Sequence, residues 1–122
     1  MALFNPQKVK QEKQAKLAED PIIAKINQRR RQLLVHSCIY YRMNDNLIED
    51  YLFDQFAHEL KDLVIKYPEK AKLAVYAKEF KGWDSEPHLF SGYCLPYDDD
   101  WVIHKALQLL HYRDQKRIQG LE

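Results

Sequence analysis

The sequence predicts an all-α domain: an antiparallel helical hairpin, a third helix, an aromatic-rich loop and a C-terminal helix packed back on the rest. Three observations predict it. Apolar residues recur at i, i+3, i+4 and i+7 through much of the chain, the period of a helix with one buried face. Only three glycines occur among 122 residues, too few for the tight turns of a sheet-rich fold or for a Gly-rich phosphate cradle. The turn signal Asn44-Asp45-Asn46 is so short that the helices on either side must lie antiparallel and bury their stripes together.

The elements follow in order. Residues 6–19 are helix-permissive, rich in Lys and Gln and nearly devoid of large apolar side chains. Residues 1–19 therefore read as a basic arm, solvated or ordered only against a partner, and 20–122 as a single helical domain. Asp20-Pro21 starts the first helix, with Asp as N-cap and Pro at the first helical position. That helix runs from Ile22 to about Met43, with Ile22, Ile23, Ile26, Leu33, Leu34, Ile39, Tyr40 and Tyr41 at helical spacing and Arg29-Arg30-Arg31 on the outer face.

The second helix, about Glu49 to Tyr67, has the cleanest pattern. Phe53, Phe56, Ala57, Leu60, Leu63, Val64 and Tyr67 form one stripe along its length. Pro68 opens a third helix expected to reach about Lys81, with Leu73, Tyr76, Ala77 and Phe80 inward, and Gly82 to Pro87 ends it. Residues 87–97 carry two prolines and a glycine among aromatics and read as an ordered loop. A last helix spans roughly Trp101 to Arg117, capped by Asp100 at the end of an acidic run that suits a helix N-terminus. Its inward residues are Val102, Ile103, Ala106, Leu107 and Leu110. No internal repeat or low-complexity tract interrupts the chain.

The formal net charge is +1, unevenly spread: residues 1–45 hold nine Lys/Arg against four acids, and residues 46–122 ten against fourteen. A basic N-terminal half suits nucleic acid or an acidic protein surface, or is the solvated face of a helix. Cys38 and Cys94 stand apart, with no CxxC and no His pair at ligand spacing, so no metal site is expected. No stretch approaches the roughly 20 apolar residues of a membrane span, and the N-terminus lacks a signal-peptide core. The expectation is a cytoplasmic protein with free thiols.

The stretch from Leu34 to Asp54 (LVHSCIYYRMNDNLIEDYLFD), continuing through Glu59-Leu60 to Pro68-Glu69, resembles the N-terminal NMN-binding helical subdomain (Ia-type) of NAD-dependent DNA ligases. The family's pattern is a Tyr-Tyr or Tyr-His pair, a short acidic turn, an isoleucine, an Asp, then Tyr-Asp three residues later. Small phage and prophage proteins described as ligase-related look similar over more of the length, through Leu95-Pro96-Tyr97, Asp100-Trp101-Val102-Ile103, Lys105-Ala106 and Leu109-Leu110. In the ligases this hairpin holds the nicotinamide mononucleotide (NMN) half of NAD. The resemblance implies Tyr40 and Tyr41 as first-helix contacts and Asp50, Phe53 and Asp54 as second-helix contacts. Aromatic faces stack on a flat cationic ring, and carboxylates accept hydrogen bonds from ribose hydroxyls.

The departures bear on function. Phe53 stands where the family has tyrosine, the ligase pattern ends past Glu69, and no Lys-x-Asp-Gly nucleotidyltransferase string occurs. Without that lysine nucleophile the chain is not expected to be an enzyme. What the resemblance implies is a non-catalytic, phage-derived module that binds NMN, NAD or a ligase-type partner in the host bacterial cytoplasm. The alternative is a phage accessory protein that binds and inhibits a host nucleic-acid enzyme such as a CRISPR nuclease, with the hairpin a reused scaffold.

Other residues admit competing readings. Tyr40, Tyr41 and Phe53 can equally be core aromatics closing the hairpin, and Asp50 and Asp54 an exposed or capping face. Lys25, Arg29, Arg30 and Arg31 are candidates for nucleic acid or an acidic partner, contacting backbone without reading bases. Trp83, Phe90, Tyr93, Tyr97 and Trp101 either pack the loop down or present an aromatic patch to a protein. The five histidines do not pair at i, i+4, His88 with Cys94 lacks an orienting acid, and Asp98 to Asp100 is most simply a helix start, unspecific as a magnesium site.

Overall fold

A computed structural model describes residues 20–81 and 98–120. The elements are α1 (Pro21–Ser37), which continues into a π-helical turn (Cys38–Arg42), then α2 (Asp50–Lys66), α3 (Pro68–Leu73) and α4 (Asp100–Gln119). There is no strand among the described residues, so the all-α expectation holds. The arm 1–19 and the loop expected over 87–97 lie outside the described residues.

Helix α1 is the centre of the domain, with α2, α3 and α4 all packed on it. It supplies Ile23, Ile26, Leu33, Leu34 and Val35 to the core, and the π turn adds Cys38 and Ile39. Each outer helix buries fewer residues fully: Ala57 and Leu60 from α2, Ala71 from α3, Val102 and Ala106 from α4. The α2 stripe falls as the spacing predicts, with Phe53, Phe56, Leu63 and Val64 half-buried against that core.

Asp20 caps α1 as expected. Its Oδ1 accepts from the amides of Ile22 at 2.8 Å and Ile23 at 3.3 Å, and Pro21 follows. Its other oxygen meets Lys70 Nζ at 2.9 Å, and the ammonium is the main reason the carboxyl lies below its ordinary range.

The third helix is shorter than its sequence suggests, ending at Leu73 instead of running to Lys81. Polar side chains of α1 take over the backbone groups that a longer helix would pair internally. The Val75 amide donates to Asn27 Oδ1 at 2.8 Å, and the Ala71 and Val75 carbonyls accept from Arg30, each at 2.9 Å. Ala74 turns extended and Tyr76 takes φ 57°, a left-handed conformation that costs a non-glycine residue energy. Leu73 is consequently exposed, whereas Phe80 is buried and Tyr76 half-buried. Arg30 does not lie on the outer face either: it is 3% exposed, drawn in by those two carbonyls.

Asp99, not Asp100, caps α4. Its Oδ2 accepts from the Val102 amide at 3.2 Å and from the Tyr76 hydroxyl at 3.1 Å. Burial and this carboxylate push the Tyr76 phenol up to about 12. Ile103 and Leu110 face the core as expected. Leu107 does not; it sits on the flank of the helix and is exposed.

Candidate functional site

The end of α1 carries an irregular turn that contains both of its tyrosines. The Met43 amide reaches back five residues to the Cys38 carbonyl at 3.1 Å, and the Asp45 amide six residues to the Ile39 carbonyl at 3.0 Å. This widened turn interrupts the 3.6-residue period, and such insertions recur at functional sites. In a continuing α-helix Tyr41 would fall on the face of Leu34, Ser37 and Cys38, all three buried. Within the π turn it is exposed instead.

Tyr40 is 54% and Tyr41 40% exposed, with ring centroids 4.8 Å apart at an interplanar angle of 81°. An edge-to-face pair suits the ring quadrupoles. Asn44, at φ 53°, then reverses the chain, a conformation that asparagine tolerates better than most residues.

Because the hairpin is antiparallel, the start of α2 lies at the same end. Asp50 and Asp54 are exposed there, one helical turn apart on one face. The first turn of a helix is where a carboxylate such as Asp50 is favoured. Phe53 is half-buried and packs against the core, so the three matched aromatics divide: two tyrosines face solvent and the phenylalanine supports the hairpin. Tyr51, 62% exposed, lies three residues before Asp54 and adds a third outward ring. Periodicity gave no reason to single it out. Arg42 is exposed at the end of the π turn.

Residues 19–73 match the family of DNA ligase-like, N-terminal NAD+-binding domains. The matched segment holds all of α1, the π turn, α2 and α3, and hence every residue of the hairpin end. α4 lies outside it. No curated protein and no solved structure matches the chain significantly.

Elsewhere the structure disperses what the sequence grouped. Lys25 is exposed, but Arg29 pairs with Glu59 on α2 at 2.7 Å and stacks over Phe56, 4.4 Å from its centroid. Arg30 is buried, as described, and Arg31 lies over the Trp101 ring at 5.6 Å. The three arginines thus point into three different environments rather than forming one basic face. Arg31 and Trp101 line a cleft of about 370 Å³ with Val75, Tyr76 and Glu79. Trp101 is exposed; Trp83, Phe90, Tyr93 and Tyr97 lie outside the described residues, as do His88 and Cys94.

No group of three or more His, Cys, Asp or Glu among the described residues is arranged to hold a metal ion. Cys38 is a buried free thiol. Burial pushes it up, against a smaller opposing pull from Arg42, which is the setting of an inert cysteine. No helix among the described residues is long and apolar enough to cross a membrane.

Proposed function

We propose that this chain is a non-catalytic, phage-derived, ligase-related module whose hairpin end binds a nicotinamide nucleotide, NMN or NAD. One observation carries the reading: the segment that matches NAD+-binding domains turns Tyr40 and Tyr41 into solvent, at the end of the hairpin where Asp50 and Asp54 are also exposed. Had those tyrosines closed the core, the site would have been lost. A cationic nicotinamide ring stacks on the tyrosine faces, and the two carboxylates accept hydrogen bonds from ribose hydroxyls.

The non-catalytic part rests on the sequence, which contains no Lys-x-Asp-Gly string to supply a lysine nucleophile. The phage-derived part rests on the likeness of residues 95–110 to small phage ligase-related proteins. The rival reading, a partner-binding inhibitor of a host nuclease working through a basic helix, is weakened by the internal engagements of Arg29 and Arg30.

The affinity expected is low. An exposed cation–π contact contributes about 0.5–1 kcal/mol and a charge-assisted hydrogen bond about 1.5–3 kcal/mol. A few of these, less the cost of immobilising the ligand, correspond to a Kd on the order of 0.1–1 mM. Calorimetric titration with NMN and with NAD tests this, repeated on Tyr41→Ala and Asp54→Ala. Saturable binding that both substitutions weaken by about tenfold or more, roughly 1.4 kcal/mol, supports the site. No heat from the wild-type protein at millimolar ligand overturns it and turns attention to protein partners.

A further inference from the structure

The hairpin turn is gripped from outside the ligase-like segment. Arg113, on α4, donates from both terminal nitrogens to both oxygens of Asp45, at 2.9 and 2.8 Å, and reaches the Asn46 carbonyl at 3.3 Å. Asp114 holds the guanidinium from the other side, accepting from Nε at 3.0 Å. A two-pronged contact of this kind fixes orientation as well as distance.

Asp45 occupies a particular place. Its carboxylate is the target of Arg113 and also accepts from the Asn46 amide at 2.7 Å. Its own amide donates to the Ile39 carbonyl, a bond that ties the reversal back onto the π turn. One residue therefore joins α4 to the π turn that carries Tyr40 and Tyr41.

We propose that Arg113 is a positioning residue for the nucleotide face: by holding Asp45 it keeps the π turn closed and the tyrosine pair exposed. The Met43 and Asp45 amides hold the wide turn locally, and the Arg113 grip adds to them, because a π insertion is rare and competes with an α-helical continuation. The grip also restricts the turn at 43–49, which joins the tyrosine end of the site to its carboxylate end. α4 would then act on ligand binding without touching the ligand. The binding half of this inference rests on the nicotinamide-nucleotide reading above; the half concerning the turn does not.

The test is hydrogen exchange resolved to single amides, with NMN affinity measured in parallel, on Arg113→Ala, Arg113→Lys and the charge exchange Asp45→Arg/Arg113→Asp. Arg113→Ala is expected to speed exchange of the Met43 and Asp45 amides by about tenfold or more while the α2 core amides of Ala57 and Leu60 keep their protection. NMN affinity is expected to fall in step. Arg113→Lys, a point charge without the fork, should lie between wild type and alanine, and the charge exchange should recover part of the loss. Uniformly faster exchange across the domain would reduce Arg113 to a general stabiliser and overturn the proposal, as would unchanged exchange at Met43 and Asp45. If the wild-type protein binds no NMN, the nucleotide reading and the binding half fall, and the exchange data alone still decide whether Arg113 holds the turn.

Discussion

Replacing Arg30 by methionine is the sharpest stability test of this architecture. The substitution keeps most of the aliphatic stem and removes the guanidinium. Two hydrogen bonds go with it, to the Ala71 and Val75 carbonyls, along with the contact over Phe80 at 5.5 Å from the ring centroid. Each bond from a charged donor is worth about 1.5–3 kcal/mol net, and removing one partner of a buried polar set costs about 3–5 kcal/mol. Some water will reach the freed Val75 carbonyl, which is only part-buried, so a loss of about 3 kcal/mol is the working expectation.

For a domain of this size that is a fall in Tm on the order of 15 °C. Urea unfolding followed by far-UV circular dichroism gives the difference directly. Arg29→Met is the control, because the half-exposed side chain of its partner Glu59 keeps the pair to about 1 kcal/mol. If Arg30→Met loses no more than Arg29→Met, then Arg30 does not hold the 71–76 segment, and the account of why α3 ends at Leu73 is wrong. The result also governs how nucleic-acid assays are read: a triple Arg29–Arg31 substitution that abolished binding would report unfolding, not a lost phosphate contact.

Three titrations follow from the same structure. Burial pulls the imidazole of His36 below its ordinary value, so the unfolded chain binds the proton first. His36's contribution is fully present above about pH 6.5 and declines as pH falls below that toward the lower folded value; Tm measured from pH 7.5 to pH 5 should fall, and His36→Leu should flatten the curve. Arg113 and the Asn46 amide hold the Asp45 carboxyl at about 2. The clamp's stabilising effect is therefore complete above about pH 4 and is lost as pH falls through 2; carboxyl NMR should show that midpoint, and Arg113→Ala should return it toward the ordinary range. Tyr76 should ionise near pH 12, a late step in ultraviolet titration that Asp99→Asn brings earlier, while an Asp99→Asn curve identical to wild type would argue against the Tyr76–Asp99 bond.

How legible the molecule was in its sequence depended on whether a signal was local. Asp20-Pro21 as a helix start, the Asn44-Asp45-Asn46 reversal and the α2 stripe all rest on short-range chemistry and stand as expected. The end of α3 does not. Residues 68–81 contain nothing that stops a helix before Gly82; the stop comes from Asn27 and Arg30, more than 40 residues upstream. An Arg-Arg-Arg run invites the reading of a solvated basic face, and only the packing of α1 between three helices shows that its middle member lies inside. Asp99 displaced Asp100 as the cap by one residue, a distinction that three consecutive aspartates leave to geometry.

The tyrosine pair shows why helical period and family likeness gave opposite answers at one place. Counting from Leu34 by threes and fours puts Tyr41 on the buried face, and that count is sound for as long as each amide bonds four residues back. At Cys38 the bonds lengthen to five and six residues, and the count no longer applies beyond it. A π turn forfeits good helical geometry, so something must hold it. Here the holders are the Met43 and Asp45 amides from one side and Arg113 from the other. Were the turn only a packing accident, the neat outcome would be a buried Tyr41 and a smaller exposed aromatic surface, because exposing two rings gives up apolar burial worth about 25 cal/mol per Å². That forgone burial, together with a forked arginine contact from a separate helix on the reversal that follows the turn, is what the nicotinamide-nucleotide site proposed above accounts for.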